Sequence, residues 1–135
     1  MLSERITSIV FTSMATNKMD SSQVVIIGYA CDEGVRRNNG RVGAKSGPDA
    51  IRKCMGELPP RVTDKGNITC EKRNLEKTQE ELGEMVAKEL KLGNFPLIIG
   101  GGHDIAYGHF LGINKAIQGT LGIINLDAHF DLRPF

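Results

Sequence analysis

The chain has no surplus of charge of either sign: Lys and Arg number 17 against 16 Asp and Glu, a net +1 over 135 residues. A field so balanced excludes attraction to nucleic acid or to an anionic membrane surface as the basis of function. Cysteine is scarce. Cys31, Cys54 and Cys70 are odd in number and show no C-x-x-C spacing, which argues against a disulfide framework or a zinc knuckle and for a reducing compartment, so a cytoplasmic location is expected. No apolar run approaches membrane-spanning length, and no internal repeat is evident. The glycine run Gly100-Gly101-Gly102 lacks both the G-x-x-x-x-G-K-[ST] and the G-x-G-x-x-G spacing, which disfavours a phosphate cradle.

What is present fits one domain at most. Residues 1–22 read as a disordered leader without chemistry, or as sequence ahead of a start at Met14 or Met19. Ser and Thr are frequent there, but Arg5 and Lys18 are its only basic residues and Glu4 and Asp20 dilute them, so mitochondrial import is not expected. From residue 23 onward strands and helices alternate, which predicts an α/β domain with a mostly parallel sheet and right-handed crossovers.

Residues 23–28, β-branched and closed by glycine, predict a buried first strand. A long polar loop is expected over 29–45. Pro48 suits the first position of a helix whose apolar stripe would be Ala50, Ile51, Cys54 and Met55, ended by Pro59-Pro60. The stretch 61–73 is polar, with a weak strand at 67–70. Asn74 should cap a long helix over 75–92, with Leu75, Leu82, Met85, Val86 and Leu90 on its core face and Gly93 closing it. A strand at 95–99, a helix at 105–117 and a strand at 121–126 complete the pattern.

Two of these strands break into metal-capable residues where their hydrophobicity stops. One gives Gly100-Gly101-Gly102-His103-Asp104, the other Asn125-Leu126-Asp127-Ala128-His129-Phe130-Asp131-Leu132-Arg133. Ligands in open α/β sheets sit beyond the carboxyl ends of the strands, so the two segments can meet. Asp127, His129 and Asp131 recur with period two and share a side if strand geometry continues through them. Two carboxylates and an imidazole suit a divalent ion such as Mn²⁺, Zn²⁺ or Fe²⁺, with His103 as a fourth ligand and glycines that leave room for it. Taken singly, His103 reads more readily as a hydrogen-bonded structural residue, whereas for His129 between two aspartates a surface-loop feature is the lesser reading. Taken together they read as a metal site.

These two motifs, with the stretch from Asp32 through Gly47-Pro48-Asp49 to Arg52, resemble the arginase/agmatinase (ureohydrolase) superfamily, most closely its formimidoylglutamase branch. The arginase branch places Asp before the histidine, as Gly-Gly-Asp-His. Here Gly102 stands before it and Asp104 after. The resemblance implies a three-layer α/β/α fold and two Mn²⁺ ions sharing a hydroxide that attacks an amidine or guanidine carbon. By resemblance His103 binds one manganese, His129 the other, Asp127 bridges both, and Asp131 binds the first while accepting a hydrogen bond from the hydroxide as the catalytic carboxylate. The family also uses two aspartates from a later strand and a proton donor beyond Phe135, so the expectation is the N-terminal part of such a domain over 23–135, incomplete at the C-terminus.

The implied reaction is hydrolysis of N-formimidoyl-L-glutamate to L-glutamate and formamide, a step of histidine degradation. Arg133 would lean toward the metal side under period-two geometry, where its guanidinium can hold a substrate carboxylate in a fork. The partner is a small amidine, and homo-oligomerisation is left open. Two alternatives stand beside this reading: an agmatinase or guanidino-acid hydrolase, and a non-catalytic truncated form that binds metal weakly or associates with another chain.

Overall fold

The computed structural model describes residues 22–127. The leader expected over 1–22 lies outside the described residues except for Ser22, as do His129, Asp131 and Arg133.

Three parallel strands form one sheet in the order β2-β1-β3: β1 is Val24–Ala30, β2 Val62–Thr69 and β3 Phe95–Gly100. The middle strand is the most apolar because both its faces are covered, and Val25 to Tyr29 are buried without interruption. Its register, Ala30 opposite Thr69 and Tyr29 opposite Gly100, brings the carboxyl ends of all three strands to one rim of the sheet.

Alternation along β1 divides the two faces. Val25, Ile27 and Tyr29 join Leu75, Leu82, Val86, Leu90, Ile105 and Ile113 in the core on one side. The last six come from α3 (Leu75–Lys91) and α4 (Ile105–Ala116). Asn74 caps α3 as expected, its Oδ1 accepting from the Lys77 N–H at 3.1 Å, and Gly93 at φ 81° follows its end. The two helices touch backbone to backbone: a Cβ at Gly112 would lie 2.5 Å from the Gly83 carbonyl oxygen.

The opposite face is covered by α2 (Gly47–Met55), completing a three-layer arrangement, but not through the expected stripe. Ala50, Ile51 and Cys54 are exposed, whereas Pro48 is buried and Arg52 half-buried. Arg52 donates from Nε and Nη2 to the two carboxylate oxygens of Asp64 at 2.6 and 2.8 Å, from Nη2 to the Gly66 carbonyl at 3.0 Å, and also to Asn67. A bidentate fork therefore does the work assigned to apolar contact. Gly28 makes room for it, since a Cβ there would lie 3.0 Å from the Arg52 guanidinium.

The same fork explains why β2 is longer than the strand expected at 67–70. Its polar residues Asp64 and Asn67 are satisfied by Arg52, and its backbone by the ladder to β1. The loop expected over 29–45 contains a short helix, α1 (Glu33–Arg37), and a single 3-10 turn at Ala44–Ser46. The strand expected at 121–126 does not form. Residues 121–126 have no regular structure and Ile123, Ile124 and Leu126 are exposed, because a strand is stable only as part of a ladder and no described strand pairs with this one.

Candidate metal site

The site is built at the carboxyl end of β3, where three glycines carry the chain from strand to helix. Their use is steric. A Cβ at Gly101 would lie 2.2 Å from the Tyr29 carbonyl oxygen and 2.5 Å from that of Cys31, so the turn runs in backbone contact with the end of β1. The Gly102 N–H donates to the Cys31 carbonyl at 2.7 Å, extending the parallel register one step beyond the strands. His103 and Asp104 follow immediately, at the start of α4.

These two neighbours point in opposite senses. The His103 side chain is 45% exposed, and its Nε2 lies 3.4 Å from Oδ2 of Asp127, whose own side chain is 10% exposed. The two sequence motifs thus meet in space. Donor atoms this close would both reach one divalent ion. An imidazole nitrogen and a carboxylate oxygen are also a suitable donor pair for Mn²⁺. The pair fits one ion. Among the described residues no group of three His, Cys, Asp or Glu side chains converges on such a point.

Asp104, in contrast, turns inward. Oη of the fully buried Tyr29 donates to its Oδ2 at 2.7 Å, while Oδ1 is buried with no hydrogen-bond partner. Burial raises the Asp104 pKa above the usual carboxylate range and, together with the carboxylate beside it, pushes the Tyr29 phenol up as well. Asp104 stands at the N-cap of α4 yet makes no side-chain cap bond. An orphaned buried oxygen costs about 1–3 kcal/mol. Neither Tyr29 nor the orientation of Asp104 was foreseen from sequence. The available signal was an N-cap residue directly after a candidate ligand.

The 29–45 segment borders this turn. A Cβ at Gly34 would lie 2.4 Å from Asp104 Oδ1, and one at Gly102 would lie 3.0 Å from Val35 Cγ2. Two of its three arginines are occupied: Arg36 holds Glu33 at 2.7 and 2.6 Å, and Arg37 reaches Glu33 at 3.1 Å and also pairs with Glu76. The Arg36 guanidinium, with Arg37, lowers the Glu33 pKa to about 2. Beyond the turn, His109 is buried in α4, and burial lowers its pKa to about 4.

Residues 22–135 match the arginase family, and the chain belongs to it. Over 117 residues it is 51% identical to the formimidoylglutamase of Geobacillus kaustophilus, a match covering 81% of this chain and 36% of that protein. Its fold is similar to that of an arginase superfamily protein from Trypanosoma cruzi, with a TM-score of 0.76 and 35% identity over 89% of this chain and 44% of that one. It is also similar to the crystal structure of Trypanosoma cruzi formiminoglutamase with Mn²⁺, with a TM-score of 0.65 and 32% identity over 77% of this chain and 39% of that one. The chain therefore spans well under half the length of the relatives it matches.

Proposed function

We propose that this chain carries the first part of the metal site of a formimidoylglutamase-like hydrolase, acting on N-formimidoyl-L-glutamate and water to give L-glutamate and formamide. The observation that carries the reading is the approach of His103 Nε2 to Asp127 Oδ2 at 3.4 Å, which joins two motifs that are distant in sequence. Similarity to formimidoylglutamases supports the substrate class, and similarity to a formiminoglutamase structure with Mn²⁺ supports the metal.

His103 and Asp127 would hold one ion, with Asp127 shared by a second held by His129, and with Asp131 on the first. A bound metal would supply Lewis acidity and make a water-derived nucleophile available near neutral pH. Asp131 would be the carboxylate that accepts a hydrogen bond there. Arg133 holds a substrate carboxylate and so selects formimidoylglutamate over the cationic agmatine. We place the enzyme in the cytoplasm.

Two experiments test this. A version extended to the length of its relatives and supplied with Mn²⁺ is expected to release formamide from formimidoylglutamate, and Arg133→Ala to raise KM at least about tenfold, on the order of 1.4 kcal/mol. An unchanged KM, or a preference for agmatine, overturns the substrate assignment. A polypeptide of these 135 residues alone is expected to bind one Mn²⁺ weakly and to show no turnover, since only four candidate ligands are present in it. Titration revealing two tight sites, or turnover that His103→Ala abolishes, overturns that expectation.

A further inference from the structure

The side chain that follows His103 does not serve the start of its helix. Asp104 has helical backbone angles, φ −57° and ψ −13°, and the N–H groups of Ile105, Ala106 and Tyr107 donate to the carbonyls of Gly102, His103 and Asp104 at 3.1, 3.1 and 3.2 Å, so its carboxylate makes no cap bond. Its carboxylate is turned instead across the sheet rim to Tyr29, whose Oη donates to Oδ2 at 2.7 Å. Oδ1 has no partner and is wedged between two glycines, where a Cβ at Gly34 or at Gly102 would come within 2.4 Å of it. The Asp104 carbonyl accepts from Gln79 Nε2 of α3 at 3.3 Å. The residue after His103 is therefore fixed from β1, from the α1 segment and from α3.

We propose that Tyr29 and Asp104 are a positioning pair for His103: their hydrogen bond fixes the backbone at the start of α4 and so sets the direction in which the imidazole meets Asp127 and the metal. This rests on the reading of His103 as a ligand. Outer partners of a ligating histidine usually hydrogen-bond its ring, and their loss costs about 10–100-fold in metal affinity; this pair reaches His103 through the backbone of the next residue, so the low end of that range is expected.

The test is Mn²⁺ titration of the 135-residue chain, followed by the resonance of free Mn²⁺ and by broadening of the His103 ring signals, with thermal unfolding recorded in parallel. Tyr29→Phe keeps the ring and removes the hydroxyl, and is expected to weaken binding about tenfold or more. Asp104→Asn retains an acceptor for Tyr29 and is expected to bind near the wild-type value, whereas Asp104→Ala is expected to fall with Tyr29→Phe. Should Tyr29→Phe not fold, the Asn and Ala variants at 104 carry the comparison by themselves. Variants that unfold at lower temperature but bind Mn²⁺ as wild type does overturn the proposal and leave a purely structural bond. Equal losses in Asp104→Asn and Asp104→Ala also overturn it. His103→Ala separates the two levels: if it leaves binding unchanged the ligand reading itself fails, and if it abolishes binding while Tyr29→Phe does not, only the positioning role fails.

Discussion

Two apolar runs of nearly equal strand character meet different fates in this molecule. Phe95–Gly100 is a strand because β1 lies beside it in register, from Val24 opposite Phe95 to Tyr29 opposite Gly100. Residues 121–126, with Ile123 and Ile124 among them, have no ladder within the described residues and leave Ile124 65% exposed. Both end in a candidate ligand. The difference shows that β-propensity states what a segment can do beside a neighbour, not what it does without one. It also makes the candidate site asymmetric: His103 is delivered by a turn locked into the sheet rim, Asp127 by a segment whose Ile123, Ile124 and Leu126 are exposed.

The sharpest way to break this comparison is a methyl group placed in each half. Gly101→Ala puts a Cβ 2.2 Å from a backbone oxygen of β1, which cannot move without disturbing the sheet, so a loss of about 3 kcal/mol or more is expected from urea unfolding. Gly122→Ala meets nothing within 4 Å and should stay within about 0.5 kcal/mol of wild type. Equal losses would show that the second run is packed after all.

Acid should act on the locked half. His109 in α4 has a folded pKa of about 4 against an ordinary value near 6.5, so the unfolded chain binds the extra proton between them. Stability is expected to be full above pH ~6.5 and to fall as pH drops toward 4, by at most on the order of 3 kcal/mol. A second loss follows as pH falls from the usual glutamate range toward 2, where Glu33 surrenders its pairing with Arg36 and Arg37. His109→Gln should flatten the first phase and leave the second. An unchanged first phase would place its source elsewhere.

The smallest effect belongs to the exposed run. Ile124→Ser should change unfolding by less than about 0.5 kcal/mol, since the side chain is already in water. A loss comparable to that of Gly101→Ala would mean that a partner covers this segment in solution.

Sequence alone determined the parts whose physics is local or nearly so. The β-branched run of β1 and the apolar start of β3 read as strands, Asn74 marked the start of α3 and Gly93 its end, and the spacing of Leu75, Leu82, Val86 and Leu90 marked its buried face. That the two motifs could meet was also legible, because side chains beyond the carboxyl ends of an open sheet gather at one rim, and His103 Nε2 lies 3.4 Å from Asp127 Oδ2. Tertiary structure decided what depends on a distant partner. A fork from Arg52 to Asp64 turned a polar stretch into a strand and fixed α2 without its apolar stripe. Among the described residues no strand pairs with 121–126, which have no ladder. Tyr29 holds the carboxylate of Asp104, 75 residues away in sequence, at the rim of the sheet. Periodicity and capping are written within a few residues, whereas which polar group satisfies which is known only once the chain has brought them together.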